Sequence, residues 1–133
     1  MISILCIEDE VAVRDLLVEE LTDAGFVTYQ ASNGREGLEM MIAKWPDIVI
    51  CDITMPEMDG TQLLAEIQLN YPDLAATPFI FLTALAGKDV MLEALRSGAD
   101  DYLVKPIDFD VLMAKIEGCA KRVEIARKTG RAF

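Results

Sequence analysis

The sequence predicts an α/β domain of the doubly wound kind, five parallel strands in the order 2-1-3-4-5 with five helices covering both faces. Three observations carry this. Short apolar runs alternate with helical apolar stripes five times along the chain, and a βα repeat of that kind builds a parallel sheet between two helix layers. The first, third and fourth runs are unbroken apolar stretches, as central strands buried on both faces should be. Right-handed crossovers then make 2-1-3-4-5 the natural arrangement. The length of 133 residues suits one domain.

Ile2 to Ile7 forms the first strand. Val13, Leu16, Leu17, Leu21 and Ala24 follow at helical spacing, and Gly25 suits the helix end. Phe26 to Ala31 is the second strand, and its Thr28 and Gln30 mark it as an edge. Asn33 with Glu36 offers a capping box for a helix carrying Leu38, Met41, Ile42 and Trp45, the last a packing residue before Pro46 ends the helix. Asp47 to Asp52 is the third strand. Pro56 and Gly60 shape a loop, with Asp59-Gly60 a turn and cap for a helix holding Leu63, Leu64 and Ile67. Tyr71-Pro72 and Thr77-Pro78 mark the next loop, and Phe79 to Leu82 the fourth strand. Val90, Met91, Ala94 and Leu95 stripe a fourth helix that ends at Gly98. Tyr102 to Val104 is a short fifth strand. Asp108 or Asp110 caps a last helix with Leu112, Ile116, Cys119 and Val123. The methionines fit core or loop packing, not a cofactor box.

Composition narrows the function classes. Apolar residues make up 53% of the chain, which excludes a disordered acidic tail. No run approaches a membrane span, and acids at Glu8, Asp9 and Glu10 argue against a signal peptide. The net charge of −11 excludes nucleic-acid binding through the bulk surface of this domain. Residues 121–133 carry Lys121, Arg122, Arg127, Lys128 and Arg131 against Glu124 alone, a local +4. We read residues 1–122 as the domain and 123–133 as a basic helical tail or the start of a linker. Three well-separated cysteines, Cys6, Cys51 and Cys119, and no histidine point to small buried hydrophobes in a reducing, cytoplasmic compartment.

Order 2-1-3-4-5 reverses direction between strands one and three, and ligands in open α/β sheets sit beyond the carboxyl ends of the strands at such a point. Glu8 and Asp9 end the first strand, Asp52 the third, Thr83 the fourth, and Lys105-Pro106 follows the fifth. Neighbouring strands lie about 4.8 Å apart, so three carboxylates share one small basin and repel unless a cation sits among them. Oxygen ligands on loops suit Mg²⁺. A hydroxyl and an ammonium beside them describe phosphoryl chemistry.

Ile7-Glu8-Asp9-Glu10, the stretch from Asp52 through Pro56 to Asp59-Gly60, Thr83-Ala84, and Gly98 through Tyr102 to Lys105-Pro106 together resemble the receiver domain of two-component response regulators, over about residues 2–122. The resemblance implies a flavodoxin-like fold and a phosphoaspartate switch. It implies that Asp52 takes a phosphoryl group from a phosphohistidine of a histidine kinase or phosphotransfer protein. Glu8, Asp9 and Asp52 would hold Mg²⁺ with the Thr54 backbone carbonyl. Lys105 would pair with the phosphoryl oxygens, Thr83 would turn its hydroxyl onto them, and Tyr102 would turn inward behind it. Pro106 would follow a cis peptide. The face of helix four, strand five and helix five would meet an output domain or downstream protein, with a homodimer on phosphorylation as a further option. The Glu-Asp pair is a common variant, and Thr54 and Leu85 stand at positions tied in the family to acyl-phosphate lifetime.

Other readings are weaker. An aspartate-nucleophile phosphatase of the haloacid dehalogenase type needs a second Asp where Thr54 stands. A flavin carrier needs a Ser/Thr/Gly-rich phosphate loop where Glu8-Asp9-Glu10 stands. A degenerate receiver that only binds partners is the remaining alternative. The domain is expected to catalyse only its own phosphotransfer and slow hydrolysis, so it is not a turnover enzyme. No output domain follows the receiver stretch in this sequence, and we expect an N-terminal piece of a longer regulator or a stand-alone receiver.

Overall fold

A computed structural model describes residues 1–129. The elements run β1 (Ser3–Ile7), α1 (Val11–Asp23), β2 (Val27–Ala31), α2 (Gly34–Lys44), β3 (Ile48–Asp52), α3 (Gly60–Asn70), β4 (Phe79–Thr83), α4 (Lys88–Arg96), β5 (Asp101–Val104) and α5 (Phe109–Thr129). The sheet is parallel in the order β2-β1-β3-β4-β5, as the apolar runs and crossover rule predict.

The two-residue side-chain period of a strand splits the core. Leu5, Ile7, Val49, Cys51, Phe79 and Phe81 pack with Met41 of α2, Leu63, Leu64 and Ile67 of α3, and Ala94 of α4. Ile4, Cys6, Ile48, Ile50, Ile80 and Leu82 pack with Leu17 and Leu21 of α1 and Leu112, Ile116, Cys119 and Val123 of α5. Each Val, Leu, Ile, Phe or Met side chain among them contributes about 1.5–3 kcal/mol by leaving water. All three cysteines are free and buried, and burial pushes the Cys6 thiol up to about 12. Among the described residues no helix is long and apolar enough to cross a membrane.

The caps differ in part from expectation. The Asn33 side chain accepts the Glu36 N–H, but the Glu36 carboxylate reaches Ser32 N and Oγ at 3.2 and 2.7 Å, so it closes on the residue before the cap. The reciprocal box forms instead at Asp59 and Gln62, opening α3. Asp108, not Asp110, caps α5 by accepting the Asp110 and Val111 N–H groups. Ala24 ends α1 and Gly25 follows at φ +97°, a left-handed backbone that glycine adopts without cost.

Leu16, Ile42 and Leu95 belong to the predicted stripes but lie 40–45% exposed, because each stands at the edge of a stripe that the sheet only partly covers. Trp45 is 56% exposed on a left-handed cap residue, so it does not pack into the helix end as expected. α5 crosses residue 122 without a break, and Val123 lies in the core. Arg131, counted in the basic tail, lies outside the described residues.

Candidate functional site

The sheet delivers five polar side chains to one rim. Register places Ile7 beside Cys51, Asp52 beside Leu82 and Thr83 beside Val104, so the residues that end or follow these strands converge where β1 and β3 adjoin. Gly60 lets the β3–α3 loop close over this rim: a Cβ there would stand 2.5 Å from the Asp52 carbonyl oxygen and 2.8 Å from the Phe81 ring. Its N–H donates to Ile53 O at 2.8 Å, which fixes the turn after Asp52.

Glu8, Asp9 and Asp52 each offer a carboxylate oxygen, and these oxygens lie within 4.8 Å of one another. Glu8 and Asp52 are buried, and Asp9 is half-buried. Lys105 reaches into the cluster. Its Nζ lies 3.0 Å from Asp52 Oδ2, 2.5 Å from Glu8 Oε1 and 3.7 Å from Glu10 Oε1. It donates a hydrogen bond to Asp52. Glu8 Oε1 is fully buried, and the Lys105 ammonium that it shares with Asp52 is its one partner among the described residues.

The electrostatics follow. Burial, partly offset by Lys105 and reinforced by Asp52, raises the Glu8 carboxyl from 4.5 to about 7. Burial alone would lower Lys105, but its ion pairs with Glu8 and Asp52 outweigh that and raise it. One half-buried cation therefore serves several acids. Three clustered carboxylates with a single lysine among them fit a hard divalent cation, which takes carboxylate oxygens and retains waters for a further ligand.

Thr83 ends β4 and is buried, and its hydroxyl oxygen accepts the Leu85 N–H at 3.0 Å. Tyr102 begins the next strand over and packs half-buried against the α2–α3–α4 side of the core. Among the described residues no hydrogen bond joins Thr83 to Asp52 or to Tyr102. Thr54 is exposed and its N–H donates to Asp52 Oδ1 at 3.3 Å. Lys105–Pro106 is a cis peptide. Neither Glu8 nor Asp9 caps α1; that position falls to Glu10, whose side chain makes no cap bond.

Sequence reasoning missed two residues here. Glu10 leans toward Lys105, and Arg14 Nη1 donates to the Glu8 carbonyl at 2.8 Å. The signal for Arg14 was its place one turn into the helix behind the acidic loop, where a long side chain can return to that loop.

Residues 4–117 match the family model described as the response regulator receiver domain. The chain is 43% identical over 109 residues to the regulatory protein AtoC of Escherichia coli K12, which covers 82% of this chain and 23% of that protein. It is 39% identical over 111 residues to the DNA-binding transcriptional regulator NtrC of the same organism, 84% of this chain and 23% of that protein. The chain thus spans about a quarter of the length of these curated relatives. Among solved structures, the receiver domain of the Francisella response regulator 1452 superposes with a TM-score of 0.85 at 30% identity, covering 92% of this chain and 98% of that one. The signal receiver domain of a histidine kinase from Syntrophus aciditrophicus superposes at 0.84 with 33% identity, 92% of each chain.

Proposed function

This chain belongs to the response regulator receiver domain family of two-component signalling, and on that premise we propose that it is a switch set by phosphorylation of Asp52. One observation carries the assignment: Asp52 ends β3, the middle strand of the sheet, and takes a hydrogen bond from Lys105 at 3.0 Å beside the Glu8 and Asp9 carboxylates.

In the transfer step an Asp52 oxygen attacks phosphorus. The bond from phosphorus to the donor nitrogen of a phosphohistidine, or to the acyl oxygen of acetyl phosphate, breaks and its electron pair leaves with the donor. Glu8, Asp9 and Asp52, with the Thr54 carbonyl, would hold Mg²⁺, which neutralises charge on the phosphoryl oxygens when bound. Lys105 follows the phosphoryl oxygens from its present seat on Asp52. The switch extends past residue 122, since α5 runs on unbroken with Val123 in the core and Arg127 on Asp47. The chemistry stops at gain and loss of this one group, so the role is regulatory.

Thr83 reads the new group. Its hydroxyl leaves the Leu85 N–H and donates to a phosphoryl oxygen, and Tyr102 takes the space behind it. The phosphoryl group prefers that arrangement, and a differential affinity of this kind is what shifts a population. The surface of α4, β5 and α5 changes, and with it binding to an output domain, a downstream protein or a second copy.

The donor is a histidine kinase or phosphotransfer protein. An apolar groove of about 240 Å³, lined by Val13, Leu16, Pro106, Ile107 and Phe109, opens beside Lys105 and supports docking of such a donor there. Buried, reduced cysteines and the acidic surface support a cytoplasmic domain that does not itself bind nucleic acid.

Incubation with acetyl phosphate and Mg²⁺ should add one phosphoryl mass, and Asp52→Ala should abolish it. Labelling of that variant at the parent rate refutes the assignment. Thr83→Ala should still take the label yet lose most of the amide shifts that beryllofluoride induces over residues 83–104; a full distal response would disprove the Thr83 link.

A further inference from the structure

Asp9 is bracketed by two carbonyls, and one residue holds both. The Arg14 N–H donates to Glu10 O at 2.9 Å, the first turn of α1. The Arg14 guanidinium donates to Glu8 O at 2.8 Å. Glu8 O belongs to the peptide that joins Glu8 to Asp9, and it lies beyond the last paired residue of β1, Ile7. The sheet holds the other side of Glu8, whose N–H donates to Ala31 O at 3.0 Å. Glu8 Oε2 also takes the Glu10 N–H at 3.3 Å.

The same guanidinium lines a shallow groove with Gln30, Ser32 and Glu36, and Glu36 is itself fixed to Ser32. Arg14 thus stands between the β1–α1 and β2–α2 loops with an acid on its outer side.

From this bracket we infer that Arg14 is a positioning residue for the cation site: it sets the Glu8–Asp9 peptide so that Asp9 presents its carboxylate beside Glu8 and Asp52. The inference rests on the receiver reading above and deepens it. Its sign separates it from a plain charge effect. A fixed positive charge near the basin, acting through its field alone, lowers affinity for a divalent cation, so removing it would tighten binding. A positioning group raises affinity, so removing it weakens binding. Residues that orient metal ligands from behind commonly change metal affinity by about tenfold or more when lost.

The test is Mg²⁺ titration of the full chain, read by amide shifts at residues 8–10 and 52. Arg14→Ala should weaken Mg²⁺ about tenfold, and Arg14→Lys, which keeps a donor of similar reach, should recover most of it. Acetyl phosphate labelling of Arg14→Ala should return to within about twofold of the parent at saturating Mg²⁺, because nucleophile and Lys105 are untouched. Arg14 is half-buried on α1 and outside the core; should Arg14→Ala unfold, Arg14→Met makes the same comparison at similar side-chain length. Equal or tighter Mg²⁺ binding in the variant, no rescue by lysine, or a labelling defect that saturating Mg²⁺ does not repair would each overturn the inference. A parent chain that neither binds Mg²⁺ nor takes the label sinks the receiver reading instead.

Discussion

Asp47 and Asp52 stand at the two ends of β3, and their surroundings are opposites. Before the strand, Asp47 Oδ2 accepts the Ser3 N–H and hydroxyl at 2.8 and 3.2 Å, and Oδ1 takes Arg127 of α5. Both oxygens are satisfied, so this carboxylate pins β1, β3 and the end of α5 together. After the strand, Asp52 shares one lysine with Glu8 and Glu10 and crowds Asp9. A carboxylate with partners of its own is a fastener. A carboxylate competing for a cation has capacity left for one more positive ligand or an electrophile.

That contrast can be broken by experiment. The largest effect should come from Mg²⁺. At a hundred times its dissociation constant it should add about 2.7 kcal/mol to stability by mass action, or roughly 8 °C in melting temperature for a chain of this size. Asp9→Ala should remove most of that gain and Asp47→Ala none. Equal Mg²⁺ stabilisation of parent and Asp9→Ala would move the cation site elsewhere.

Next come the two aspartates without metal. Asp47→Ala leaves the Ser3 donors and Arg127 unpaired and should cost about 1–3 kcal/mol in a urea melt. Asp52→Ala relieves repulsion with Glu8 and should be neutral or stabilising. If Asp52→Ala is the costlier change, the carboxylates are not in conflict.

The pH dependence has a definite sign. Burial raises the Glu8 carboxyl from its ordinary 4.5 to about 7, so between those values the folded state binds more protons than the unfolded one. Stability in EDTA should be fullest below about 4.5 on this account and fall as pH rises toward 7, by on the order of 1–2 kcal/mol. Glu8→Gln should flatten that slope, which denaturant midpoints across the window would read. A slope unchanged by Glu8→Gln rules out Glu8 as its source. The smallest effect belongs to Arg127→Ala. Arg127 is half-exposed in its pair with Asp47, so solvent screens it and the loss should stay below about 1 kcal/mol.

What the sequence by itself determined is what depends on periodicity and strand ends. Apolar runs such as Ile48–Cys51, each followed by a helical stripe, read as central parallel strands, and a residue that follows such a run then lies on the carboxyl rim. Glu8, Asp9, Asp52, Thr83 and Lys105 were therefore legible as one group before any coordinates. Tertiary structure decided the rest, because it turns on which neighbour arrives within hydrogen-bond reach. Leu16 and Ile42 carry helical spacing, but how far the sheet extends decides that they stay exposed. Glu36 could equally close on the Asn33 or the Ser32 backbone N–H, and only the bend at the start of α2 chooses that of Ser32. Asp47 looked like a strand opener until α5, 80 residues later, brought Arg127 to it. The same holds for Arg14 and Glu8 O: a side chain meeting a carbonyl across a turn has no periodicity to reveal it, since the bond depends on where the helix axis leaves the sheet.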